Sequence, residues 1–212
     1  MKLLSDEDRR VISEAVAKAE AQTSGEIVFA TADASARYHH ELLQASIVGA
    51  AVASAIYLAL PVDHTIGILL WTQIVSFALV YAILPHLTVR RLVIPSRELE
   101  ARVSEAAFLE FYSSGLFRTR ESNGVLIYLS VFERRVVVIG DRGIHEKMGN
   151  PHWDEVRDMI IDGIRRGRPR EGICAAIESC GRALAAHFPH RADDVNELPD
   201  QVVDRKLRPD AP

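Results

Sequence analysis

The 212-residue sequence predicts an α/β fold whose sheet is covered by helices on both faces and interrupted by an inserted transmembrane helical hairpin. Three observations predict it. Residues 42–60 and 66–84 carry no formal charge, and each is about the twenty residues a helix needs to cross a bilayer. Residues 125–130 and 135–139 are apolar at nearly every position, the pattern of strands buried on both faces. Apolar residues at helical spacing occur before, between and after the strand-like segments.

In chain order, Ser5 followed by Asp8 marks a capped helix start. Val11, Ile12, Ala15, Val16 and Ala19 keep helical spacing, and Gly25 supplies the stop. Residues 26–31, EIVFAT, read as a strand. The two uncharged segments come next, joined by PVDHT. A surface helix keeps a polar stripe; these hold only scattered Ser, Thr and Gln. Gly49 and Ala53 offer a small-residue face for close packing of paired membrane helices, and Tyr57, Trp71 and Tyr81 lie toward the segment ends.

The flanks predict orientation. Arg37 precedes the hairpin and Arg90, Arg91, Arg97 and Arg102 follow it, while the link has Asp63 and His64 but no lysine or arginine. Positive-inside bias places both termini in the cytoplasm and the link outside, in a two-helix protein of the cell membrane. The opening residues MKLLSDEDRR lack a secretory signal pattern, in agreement.

After the hairpin, Pro95 and Ser96 open a helix with Leu99, Val103, Ala107 and Phe111 as its buried stripe and Gly115 near its end. The two apolar strands follow, joined by Glu133-Arg134-Arg135. Helices are expected over residues 153–166 and 171–188, separated by Gly167-Arg168-Pro169. The expected division is thus residues 1–40 (helix and first strand), 41–88 (hairpin), 89–188 (remainder of the domain) and 189–212, a flexible acidic tail.

Composition excludes some functions. A net charge of −4 and a pI near 6.1 give no electrostatic case for nucleic acid. Cys174 and Cys180 match no zinc or redox spacing and read as buried small residues. His39-His40-Glu41 and His187-Phe188-Pro189-His190 lack helical metal-ligand spacing. No phosphate loop, nucleophile elbow or zinc-protease motif is present.

The ordered set Ser24-Gly25-Glu26-Ile27, Asn123-Gly124-Val125-Leu126, Glu133-Arg134-Arg135 and Gly140, followed by IRRGRPREGICAAI at residues 164–177, resembles the TPM domain family. The resemblance covers residues 3–35 and 95–188. It implies an α/β/α sandwich around a small mixed sheet. It also brings associations with acid phosphatase activity, calcium-binding acidic clefts, photosystem repair and modulation of membrane receptors, with the domain usually outside the cytoplasm. The chain departs from that plan: its hairpin interrupts the domain after the first strand, and Gly149-Asn150 stand where relatives often carry an acidic residue.

Two sets of side chains are candidate sites. Asp33 follows the first strand, Asp141 the third, and Glu146 lies close behind. Should the strand ends converge, their oxygens would suit Ca2+ or Mg2+; as turn or helix-start residues they need no ion. Glu133, Arg134 and Arg135 read as a solvated turn, with anion or partner binding as the alternative. The function expected is a membrane-anchored cytoplasmic domain acting as a non-catalytic binding or assembly module, its partners the lipid bilayer and a membrane protein. A divalent-cation-dependent phosphatase-like hydrolase using Asp33, Asp141 and Glu146 is one alternative, and a purely structural scaffold is another.

Overall fold

A computed structural model of the chain describes residues 3–86, 90–148, 151–190, 198 and 202–205. It divides into two compact units, residues 37–99 and residues 1–36 with 100–212.

The first unit is the apolar hairpin. Helix α2 (His39–Ala59) and helix α3 (Ile66–Ile83) are both long and apolar enough to cross a membrane. They meet on the small-residue face expected from sequence. Ser46 and Ser54 are buried there and return their hydroxyls to Leu42 and Ala50, four residues back in α2, so neither leaves a polar group unpaired. A Cβ on Gly49 would stand 3.0 Å from Val80, so only glycine admits this approach without a shift. The outward faces carry large apolar side chains such as Val48, Ile66 and Trp71, which are 61%, 79% and 67% exposed. In the link, Thr65 caps α3 by accepting from Ile68 N–H, and Tyr57 Oη accepts the Thr65 N–H at 3.0 Å.

The second unit is a four-stranded mixed sheet with helices on both faces. Helix α1 (Asp6–Glu20) begins with the predicted capping box, Ser5 and Asp8 bonding each other's backbone N–H. Strand β1 (Glu26–Ala32) pairs in parallel with β2 (Gly124–Ser130), Glu26 opposite Gly124 and Ala32 opposite Ser130. Strand β3 (Arg135–Gly140) returns antiparallel beside β2, and β4 (Val203–Arg205) runs parallel along the other side of β1. The order is β3-β2-β1-β4.

Both central strands are buried at every position, as the apolar run of β2 predicts; β3, whose apolar run predicts the same, lies at the sheet edge and is mostly half-buried. One face of the sheet, with Ile27, Phe29, Ile127 and Leu129, packs against α1, α6 (Pro151–Arg165) and α7 (Pro169–His187). The opposite face, with Val28, Ala30, Leu126 and Tyr128, meets Val103, Ala107 and Phe111 of α4 (Ser96–Ser113). Helices α6 and α7 cross at Gly163 and Gly172, where a Cβ on Gly163 would lie 2.7 Å from the Gly172 Cα.

Two elements depart from the sequence reading. A short helix, α5 (Arg142–Met148), follows β3 directly and buries Ile144. Strand β4 lies inside the segment expected to be a flexible tail, most of which falls outside the described residues, as does Gly149-Asn150.

Candidate functional site

One group of buried polar side chains gathers where β1 and β2 end. Register aligns Arg135, Ser130, Ala32 and Arg205 in one row across all four strands. Beyond the row, the chain leaving β1 and the turn leaving β2 run side by side: Val131 N–H donates to Ala32 O and Phe132 N–H to Asp33 O. The turn closes through Arg134, whose φ of 54° is left-handed, and this sets the Glu133 side chain inward.

Glu133 is fully buried. Its carboxylate accepts the Ser35 N–H at 2.9 Å and the Ser130 hydroxyl. Ser35 Oγ donates to Ser130 Oγ at 2.9 Å and lies 3.3 Å from Tyr128 Oη. Burial holds the Tyr128 phenol above its ordinary value; the bond to Ser35 opposes that shift, and the nearby Glu133 and Glu110 carboxylates add to it. Next to this group, the buried Glu110 takes a two-bond contact from Arg205, at 2.6 and 3.0 Å, and a bond from Ser114 Oγ at 3.1 Å. The Glu110 bond is the main reason the Arg205 guanidinium is held above its usual range.

A serine hydroxyl on a carboxylate has the elements of a nucleophile and base. Ser130 and Glu133 are both completely enclosed, however, and the bonds described join members of the group to one another. The arrangement fixes the segment leaving β1 to the β2–β3 turn. It is a lock between two connections.

The acidic residues singled out from sequence are placed differently. Asp33 is exposed at this end of the sheet. Asp141 is at the opposite end, because β3 runs antiparallel and Asp141 N–H donates to Gly124 O at the start of β2. A seven-residue strand separates the two, about 20 Å. The Glu146 side chain lies outside the described residues. Calcium takes roughly six to eight oxygens around one point. Asp33 and Asp141 do not share such a point, and among the described residues no three His, Cys, Asp or Glu side chains group to hold an ion. Asp33 and Asp141 do not together fit a calcium or magnesium centre.

Of Glu133-Arg134-Arg135, all three belong to the turn or the first strand residue after it, as expected. Glu133 is the departure, buried where a solvated corner was expected. Of the cysteines, Cys180 is buried, its thiol pushed up to about 12 by desolvation, while Cys174 is half-buried. Sequence reading passed over Ser35, Tyr128, Ser130, Glu110 and Arg205. For Glu110 a signal exists: it is three and seven residues past Ala107 and Val103, on the buried face of α4.

Comparison with known proteins bears on this domain. Residues 86–183 match the family model described as TPM domain. The matched segment is similar to the TPM domain. The match takes in α4, β2, β3, α5, α6 and most of α7; α1, β1 and β4 complete the sheet and its covering layer from outside it. The NMR structure of BA42 protein from the psychrophilic bacterium Bizionia argentinensis is similar at 23% identity and a TM-score of 0.60, over 96% of this chain and 97% of that one. That likeness shows the fold. No curated protein matches the chain.

Proposed function

We propose that the chain is a membrane-anchored TPM domain that acts as a non-catalytic binding module for a membrane partner. In this reading the α2–α3 hairpin is the anchor, and both termini and the domain lie in the cytoplasm. The observation that carries it is the closure of the strand-end group. Its hydroxyls and its Glu133 carboxylate are spent on holding two connections together, which leaves surfaces to do the work. Two supporting features are the long apolar helices and their outward large apolar side chains, a surface that calls for lipid or protein cover.

The test has two parts. The chain should stay in the membrane fraction through an alkaline wash, and cross-linking in intact membranes should join it to a second integral membrane protein. Release by the wash removes the anchor from the reading. Divalent-cation-dependent hydrolysis of a simple phosphoester, abolished by Asp33→Asn, would replace binding with catalysis.

A further inference from the structure

The strand order leaves β3 at one edge of the sheet. Asp141 N–H donates to Gly124 O, and an antiparallel ladder alternates between groups facing its neighbour and groups facing away. Residues 135, 137 and 139 therefore turn their N–H and C=O toward β2, while Val136, Val138 and Gly140 turn theirs outward. Among the described residues no strand lies on that side and no hydrogen bond reaches those outward groups.

Soluble proteins protect such edges with proline, a bulge or a charge placed within the strand. Val136 through Gly140, VVVIG, has none of these. The edge is the floor of a groove of about 440 Å³. Val103 and Ser104 of α4 form one wall, and Trp153, Arg157 and Ile161 of α6 form the other. A strand laid on the edge would present alternate side chains to the two walls.

Charge selects the occupant. The groove is lined by four arginines, Arg134, Arg135, Arg157 and Arg165, against two carboxylates, Glu100 and Asp154. Arg157 is held by Asp154 and Asp158, and Arg165 stands 3.9 Å from Asp162. The four arginines thus face Glu100, Asp154, Asp158 and Asp162, and Arg134 and Arg135 are the two whose charge no ion pair takes up among the described residues. A second copy would bring the same arginines and be repelled.

We propose that the β3 edge is a strand-acceptor site for an extended acidic peptide, which adds to the sheet beside β3 with its acidic side chains toward Arg134 and Arg135. The proposal rests on the binding-module reading and names the surface that such a module would use.

The experiment uses the full chain in detergent and a fluorescein-labelled peptide of alternating glutamate and valine, followed by anisotropy. Saturable, salt-weakened binding is expected, with none for the same peptide carrying lysine in place of glutamate. Val138→Pro removes an outward N–H and leaves the bonds to β2 in place, so affinity should fall at least about tenfold. The pair Arg134→Glu and Arg135→Glu should have a similar effect, and it keeps the test decisive if the proline variant misfolds. No binding of the acidic peptide, equal binding of both peptides, or dimers of the chain that Val138→Pro dissolves would each overturn the proposal. A membrane partner still captured by both variants sinks the acceptor edge and spares the binding module. Peptide bound at the edge with no partner captured from membranes does the reverse.

Discussion

Glu133 accepts the backbone N–H of Ser35 at 2.9 Å, joining residues 98 apart in sequence. The bond spans the point where the chain leaves the sheet after β1 and the turn by which it re-enters as β3. Because Glu133 is fully enclosed and also holds Ser130, removing its carboxylate takes the acceptor from the buried Ser130 hydroxyl and the half-buried Ser35 N–H. Glu133→Ala should therefore cost about 2–4 kcal/mol, read as a lower thermal midpoint. Glu133→Gln keeps one acceptor oxygen and should cost less. Arg134→Ala, at the exposed corner beside it, should change stability little.

Tyr128 gives the same cluster a pH signature. Desolvation raises its pKa in the folded state, so the fold favours the protonated phenol. The contribution is fully present below the ordinary tyrosine value of about 10 and is lost as pH rises through the higher folded value. Alkaline titration of the phenolate absorbance should show one late-ionising tyrosine, absent in Tyr128→Phe. The thermal midpoint of the variant should also fall less steeply with alkaline pH. An unchanged late phase in Tyr128→Phe would assign it to another of the five tyrosines.

Much of this fold is legible because its signals are short-range. The Ser5–Asp8 box, the apolar run of β2 and the two long apolar helices each declare themselves within about twenty residues. Strand β4 does not, since its three residues acquire strand character only by pairing with β1 from far along the chain. Helix α5 is short and holds a single core anchor, Ile144, too little for a period. Glu133 escapes notice because a charged residue in a turn ordinarily faces water. The separation of Asp33 from Asp141 was within reach of sequence. A connection as short as residues 131–134 requires antiparallel strands, and antiparallel strands end on opposite sides.

The α6–α7 crossing pits two glycine effects against each other. In an exposed helix, Gly→Ala gains about 1 kcal/mol of helix propensity. At Gly163 the new methyl would lie 2.7 Å from the Gly172 Cα and 3.0 Å from Arg168 O, backbone atoms that cannot rotate aside. Overpacking should win: Gly163→Ala is expected to be net destabilising, and Gly163→Val more so, by about 1–3 kcal/mol. Calorimetry of the two variants checks the order; a stabilised Gly163→Ala would mean that the helices separate at little cost.

The proposed orientation of the hairpin can be read by thiol labelling on a background whose native thiols interfere little. Cys180 is buried with its thiol pushed up to about 12, so its reactive thiolate is scarce at neutral pH. Cys174, half-buried, is removed as Cys174→Ser. In that background Asp63→Cys places a thiol in the exposed α2–α3 link, and Glu171→Cys places one at an exposed site in the first turn of α7. With the link outside and the domain in the cytoplasm, a membrane-impermeant maleimide added to intact cells should label Asp63→Cys at once. Glu171→Cys should react only after the membrane is permeabilised. The reverse pattern would invert the topology, and immediate labelling of both would remove the hairpin from the membrane.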